Sequence, residues 1–400
     1  CKCSDDKTER KQRKDPRSTI SFINLLVEVV LKGRHCVYNI TKVYAMSGIN
    51  LGSASLRFKN ILVVIKQTAF EEYSQLKLRG QAPKALRWKR LEQRYKAHKQ
   101  CVNDLLSVLR KHEVSFTCVN RVELDRQHLA NIDLMVAVGG DGTVLSAAHL
   151  LDHGTIPLLG VNSDPNVSLE DRKVTKKVVD ERRSHGALCM CTALNLEELL
   201  PQIIHGEKQD HLSKRTRIRC KVKSTFSETR LVPALNDLLI ANPSPAAVSR
   251  FRLGWLSKLP ADTQQHTGTM TRFAGIPYDV SHSLNVWSSG MWVSTSTGSS
   301  AAMAAAGGQP MPLESTDLQY LIREHMMENS NEKLDSDVNN GFIESKQKMH
   351  LRWNSQRGRI FIDGSHLTHN LELGDEIMID NEAPPLPMFL NRGPRSRSSI

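Results

Sequence analysis

Asn60-Ile-Leu-Val-Val-Ile-Lys66 is an unbroken apolar run between two polar ends, and it predicts a strand buried on both faces. Residues 91–109 follow another rule. Leu91, Tyr95, His98, Val102, Leu105 and Leu109 recur at spacings of four and three, one face of an amphipathic helix. His98 on that face reads as a satisfied core histidine. Val114–Val119 and Ile132–Val138 predict two further strands, a helix runs from about Thr143 to Leu151, and a strand covers Ile156–Val161. Strands and helices in this order predict a parallel sheet covered by helices.

Beyond residue 165 the pattern changes. Residues 163–186 are polar and charged and read as a long loop, and Leu196–His205 is one more helix. Arg217-Ile-Arg-Cys-Lys-Val-Lys223 then alternates strictly, with Ile218, Cys220 and Val222 on one face, as in a half-buried antiparallel strand. Arg215, Arg217, Arg219, Lys221 and Lys223 fall on the other face and read as its solvated side. Ala234–Ala241, Val248–Trp255, Ser283–Thr295, Arg359–Asp363 and Glu376–Ile379 are further strands, while 257–282 and 326–348 read as surface insertions. The expected architecture is an N-terminal α/β domain with a parallel sheet, over 58–205, and a mostly antiparallel β domain over 206–390. A basic leader (1–57) and a basic, Ser-rich tail (391–400) flank them.

The charge of +12, from 54 Lys+Arg against 42 Asp+Glu, favours anionic partners. No apolar stretch approaches the roughly 20 residues of a membrane span. Aromatic residues are 5% of the chain and do not interleave with the basic ones, so a nucleic-acid surface is not expected. The leader is acid-poor and resembles an organelle transit peptide, or equally a disordered arm. The eight cysteines are scattered and form no C-x-x-C, which points to reduced thiols inside a cell and no metal site. The expected compartment is the cytoplasm, with mitochondrion and peroxisome as alternatives.

Three segments carry candidate chemistry. Val138-Gly-Gly-Asp-Gly-Thr143 lies where a buried strand meets a helix, the usual ligand position in open α/β sheets. Gly139, Gly140 and Gly142 let the backbone turn sharply and approach a ligand, and N–H groups at the helix start suit a phosphate. An anionic Asp141 in such a cradle makes sense as an acceptor of a hydroxyl proton or beside a cation. The competing reading is a tight turn with Asp141 as a helix cap. Asn236 and Asp237 are polar neighbours inside an apolar strand and need partners, which ribose hydroxyls, an amide or a backbone bulge would supply. Ser294-Thr-Ser-Thr-Gly-Ser-Ser-Ala-Ala302 reads as a second anion-binding helix start, or as a plain Ser-rich loop.

In this order, the three segments and the late Asp363-Gly364 resemble the ATP-dependent NAD kinase family. Gly160-Val-Asn-Ser-Asp-Pro165, Asn236-Asp-Leu-Leu-Ile-Ala241, Ser244-Pro-Ala-Ala-Val-Ser-Arg-Phe251, Ala301-Ala-Met303 and Gly307-Gly308 place the likeness nearest the plant-type NADH kinase branch. The resemblance implies transfer of the ATP γ-phosphoryl group, with Mg²⁺, to the 2′-hydroxyl of the adenosine ribose of NADH or NAD. It implies Asp141 as proton acceptor. It implies nucleotide contacts at Gly139, Gly140, Gly142, Thr143, Asn162, Asn236, Asp237 and Arg250, and at Ser289, Thr297, Gly298, Ser299, Ser300, Ala302, Ala305 and Ser365. It further implies a two-domain cleft and a homo-oligomer, expected as a dimer. The chain departs from the family at Trp287-Ser-Ser-Gly290, where R-x-D-G is usual, at Ala302 in place of a tyrosine, and at Ser365 in place of a glutamine. These departures bear on the dinucleotide and tilt the expectation toward NADH. Two alternatives remain: a lipid kinase sharing the glycine box, and an idle dinucleotide sensor.

Overall fold

In the computed structural model, which describes residues 56–165, 186–258, 269–326 and 338–391, the first apolar run is strand β1, Asn60–Ile65. The N-terminal half continues with α1 (Ala69–Leu78), α2 (Trp88–Lys111), β2 (Ser115–Asn120), β3 (Leu134–Gly139) and α3 (Asp141–Leu150). After these come β4 (Leu158–Asn162), β5 (Cys191–Thr192), α4 (Leu196–Ile204) and β6 (Leu212–Arg215). The C-terminal half holds β7 (Arg219–Lys223), β8 (Glu228–Arg230), β9 (Asp237–Ala241), β10 (Ser249–Lys258), β11 (Met270–Phe273), β12 (Ile276–Ser288) and β13 (Gly290–Ser294). It ends with α5 (Ala302–Ala305), β14 (Leu318–Arg323), β15 (Asn340–Ile343), β16 (Lys348–Trp353), β17 (Arg357–Ile362), β18 (Leu367–Glu372), β19 (Glu376–Asp380) and β20 (Leu386–Phe389).

The first sheet has the order β2-β1-β3-β4-β20-β6, parallel except for β6. Its central strands β1, β3 and β4 are apolar because both faces are covered. Ile61 and Val63 pack under α2 and α4, whereas Leu62 and Val64 pack under α3. The other two sheets are antiparallel, in the orders β11-β12-β10-β16-β19-β7-β8 and β15-β14-β13-β9-β17-β18. They close on one core, in which Cys220, Val222, Phe251 and Leu253 from one sheet meet Leu238, Ile240, Met291 and Val293 from the other. The α/β and antiparallel β layers are those the sequence predicts.

The chain does not change layers once only. After α4 it lays β6 on the edge of the first sheet, and it returns there near its end as β20, whose Met388 and Phe389 pair with Leu158 and Leu159. Two further expectations need correction. Residues 270–282 are not a loose insertion but most of the β11–β12 hairpin, whose Phe273 and Tyr278 form a small core with Leu256 and Met378. Ser283–Thr295 is not one strand, because the chain passes from one antiparallel sheet to the other at Ser289-Gly290, where Gly290 takes φ +129° and a side chain would overlap Ala241. The leader up to residue 55, most of the 163–186 loop, parts of both expected insertions and the tail from 392 lie outside the described residues. Among the described residues, no helix is long and apolar enough to cross a membrane, and Cys101, Cys118, Cys189, Cys191 and Cys220 are free thiols.

Candidate active site

Every residue of β3 is buried, so its backbone first becomes reachable at the turn that follows. A Cβ at Gly139 would overlap the Thr143 hydroxyl and sit 3.0 Å from the Lys66 Cβ, which makes a side chain there untenable. Gly142 faces open space. Asp141 is not the cap of α3: the capping position is Gly140, which offers no side chain. The Asp141 carboxylate instead accepts the N–H of Leu188 (2.8 Å) and of Ala187 (3.2 Å), and this fixes it at the mouth of the turn. The Thr143 N–H already bonds the Gly140 carbonyl (2.8 Å), so the N–H groups before it, with the helix dipole, form an anion receptor beside that carboxylate.

A second constellation is built around β9. Thr295 donates its backbone N–H to the Asn236 carbonyl (2.9 Å) and its hydroxyl to the Leu235 carbonyl (2.6 Å). A Cβ at Gly298 would overlap the Asn236 backbone, so only glycine lets the Ser/Thr loop lie this close. Asn236 and the loop are thereby brought together. The Asn236 Oδ1 is buried with no hydrogen-bond partner, an unmet acceptor such as a bound ligand would satisfy. Asp237 is buried, and its carboxyl pKa is raised to about 7, first by burial and then by the nearby charge of Asp363.

Asp363, at the end of β17 with φ +49°, ties these parts together. Its carboxylate accepts the backbone N–H of Leu235 (2.8 Å), Asn236 (2.7 Å) and Asp237 (3.0 Å). His149 Nε2 on α3 reaches the same carboxylate at 2.8 Å. The helix that starts at the glycine turn is therefore pinned directly to the start of β9.

The other expected residues divide by position. Asn162 is buried at the end of β4, directly across from Gly139 in the ladder. Thr297 and Ser299 point inward: Thr297 accepts from Arg215 (2.8 Å), and Ser299 bonds the Ser296 carbonyl (2.9 Å) and the Met311 N–H (2.9 Å). Ser300, Ala305 and Ser365 are exposed and Ala302 half-buried. Arg250 and Ser289 are not brought to the turn. Ser294 pairs with Asp237, whereas Gly290 is at the other end of β13, roughly 13 Å away along a strand. There Arg250 stacks over the Trp287 ring at 4.7 Å and Ser289 bonds Glu324.

The solvated basic stripe also needs correction. The chain changes sheets between β6 and β7, so Arg215 and Arg217 never share a surface with Arg219, Lys221 and Lys223. Both are fully buried. Arg215 holds the Ser/Thr loop through Ser296 and Thr297, and Arg217 caps the C-terminus of α3 at the carbonyls of Leu151 (2.9 Å) and Asp152 (2.9 Å). His98, 3% exposed, is buried as expected but only half satisfied: Nδ1 lies 2.8 Å from the Ser163 hydroxyl, whereas Nε2 is buried with no hydrogen-bond partner. It also lines a cavity of about 100 Å³ with Lys66, Arg94, Gly139, Gly140 and Asp164, a wall of the site that the sequence pattern did not single out. Among the described residues, no three His, Cys, Asp or Glu side chains gather as a metal site.

Residues 53–167 match the family model of the ATP-NAD kinase N-terminal domain. The chain is 36% identical to a probable NADH kinase of Oryza sativa subsp. japonica, over 78% of this chain and 87% of that protein. It is 35% identical to the NADH kinase of Arabidopsis thaliana, over 76% and 86%. The fold is similar to that of yeast NADH kinase complexed with NADH, with a TM-score of 0.56 and 14% identity over 84% of each chain. It is also similar to an NAD kinase from Archaeoglobus fulgidus in complex with ATP, with a TM-score of 0.52 and 17% identity over 83% of this chain and 94% of that one. An alignment of 313 residues cannot be confined to the first sheet and its helices, so the likeness runs through both halves, and the chain belongs to the NAD kinase family.

Proposed function

We propose that the chain transfers the γ-phosphoryl group of ATP to the 2′-hydroxyl of the adenosine ribose of NADH, and less readily of NAD, giving NADPH or NADP. The observation that carries this reading is Asp141. It is a carboxylate held by two backbone N–H groups at the edge of an anion-receptive glycine turn. In that role it takes the proton of the hydroxyl as the new O–P bond forms, while the bond from the γ-phosphorus to the bridging oxygen breaks and ADP leaves. A ribose hydroxyl is a very weak acid, so a fixed base and alignment are what the protein can add. Asn236, with its unmet Oδ1, and Asp237 hold the dinucleotide, and the segment Ser300 to Ala305, exposed at Ser300, Ala301 and Ala305, lines its path.

The residues present fit a Mg²⁺ held mostly by the donor's own phosphates, with one carboxylate added from Asp141 or Asp164. When bound, it neutralises phosphate charge. The preference for NADH rests on the names of the plant relatives and on Ala302 standing where the family usually has a tyrosine. A dimer and a cytoplasmic place belong to the same reading.

Steady-state assays with Mg-ATP and either NADH or NAD test it. NADPH and NADP formation is expected, with a higher kcat/KM for NADH. Binding of NADH without any NADPH would leave the idle sensor as the correct reading.

A further inference from the structure

Lys66 is the first residue after β1. Its backbone N–H bonds the Val138 carbonyl at 3.0 Å, and its Cβ lies against Gly139, so its side chain starts from a fixed point on the glycine turn. Two residues later Thr68 caps α1 with a capping box, its hydroxyl and N–H both bonded to the Glu71 carboxylate at 2.8 and 2.9 Å. The loop that carries Lys66 is therefore held at both ends. Arg94 enters the same cavity from α2, on the face of His98 one turn later. The Arg94 guanidinium is 3.7 Å from the Asp164 carboxylate, whereas Lys66 makes no ion pair among the described residues. The lysine's pKa is lowered, chiefly by desolvation and further by Arg121 and Arg94, with Asp164 opposing. The cavity thus holds more positive than negative charge, and Lys66, itself exposed, reaches it from the solvent side.

Its position matters as much as its charge. The cavity lies beyond the carboxyl ends of β1, β3 and β4, and its inner wall is Gly139-Gly140. Asp141 is not among its walls: that carboxylate is held by the backbone of residues 187–188. In-line phosphoryl transfer needs the attacking oxygen and the leaving oxygen on opposite sides of phosphorus. The glycine turn separates a carboxylate suited to the attacking side from a cationic cavity suited to the leaving side. About 100 Å³ is small against ordinary ligand pockets, room for phosphate groups but not for a nucleoside.

Resting on the kinase reading above, we propose that Lys66 and Arg94 hold the polyphosphate tail of the phosphoryl donor in this cavity, on the side of the glycine turn away from the acceptor sugar. Removing one charge-assisted phosphate contact costs about 10- to 100-fold in affinity. Lys66→Met is expected to raise KM for ATP by about that factor with KM for NADH within about twofold, and Lys66→Arg is expected to recover most of the loss. Inorganic tripolyphosphate is expected to inhibit the wild type competitively against ATP, and to raise the melting temperature of the wild type but not of Lys66→Met. A rise in KM for NADH with KM for ATP unmoved would give the cavity to the dinucleotide and overturn the proposal. So would unchanged KM values, or equal stabilisation of both proteins by tripolyphosphate. If the protein made no NADPH at all, the kinase reading would fall, and the tripolyphosphate melting shift would still decide whether Lys66 grips a polyphosphate.

Discussion

His149 Nε2 lies 2.8 Å from the Asp363 carboxylate, a buried contact that joins two residues 214 positions apart in the chain. It ties α3 to the start of β9, so the glycine turn and the Asn236 segment are positioned by one hydrogen-bonded carboxylate. His149→Leu leaves the Asp363 oxygen short of one donor in a buried setting, at a cost of about 1–3 kcal/mol. His149→Gln, whose amide can donate, is expected to lose less. Urea unfolding of the two variants checks the order. Equal midpoints for His149→Leu and the wild type would show the contact to be idle.

Asp141→Asn keeps an oxygen that can accept the N–H of Leu188, now 2.8 Å from Asp141, so the turn should keep its shape. It loses the basic carboxylate. Turnover is expected to fall by about 10²–10⁴, the usual worth of a positioned base, with KM for NADH little changed. Rapid-quench measurement of NADPH formation checks this. A variant that turned over at the wild-type rate would remove Asp141 from the base role.

Much of this site was legible in the chain because its chemistry is local. Glycines around Asp141, two polar residues inside an apolar strand and a run of hydroxyls are each visible within a few positions. The pieces that connect them were not. Arg215 and Arg217 read as solvent-facing because period two says which face a residue takes, not what covers that face. Their burial depends on β20 and on the loop near Leu313, both far away in sequence. Lys66 read as no more than a polar end to an apolar run. Its role appears only once β1 lies beside β3 and Gly139 beside Lys66. Among the strands, β18 lies at a sheet edge and β20 has only four residues, so local pattern is weak there, while β16 interleaves Lys348, His350 and Arg352 with apolar residues and is recognised only by its pairing with β10 and β19.

Gly298→Ala tests the closest backbone approach in the site. The added methyl would overlap the Asn236 backbone, which cannot move without breaking its bonds to Asp363 and Thr295. Overpacking of this kind costs about 1–3 kcal/mol. Because the strain falls on Asn236, KM for NADH should rise more than KM for ATP. A variant as stable and active as the wild type would mean the loop is slack.

His98 sets an acid limit on stability. Burial first and the Lys66 charge next lower its pKa from 6.5 to about 4. The unfolded chain binds a proton near pH 6.5 that the folded protein refuses until about pH 4. Stability therefore falls as pH drops through that window, by about 3 kcal/mol once complete. His98→Gln should flatten this part of the curve while leaving the region above pH 7 unaffected by titration. Denaturant midpoints between pH 7 and pH 4 measure it, and parallel curves for the two proteins would refute it.

Asp237 works in the opposite sense. Burial, followed by the charge of Asp363, raises its pKa from 3.8 to about 7, so the folded protein keeps a proton that the unfolded chain has lost. Between pH 4 and pH 7 stability is therefore lost as pH rises, and above pH 7 the deficit is complete, at most about 4 kcal/mol. Asp237→Asn removes the titration. It should be more stable than the wild type at pH 8 and gain nothing at pH 4, as paired melting curves would show. The same variant should bind NADH less tightly, by about tenfold for one charge-assisted bond lost. Stability gained with binding lost is the signature of a side chain placed for a ligand, since an Asp that only served the fold would lose on both counts.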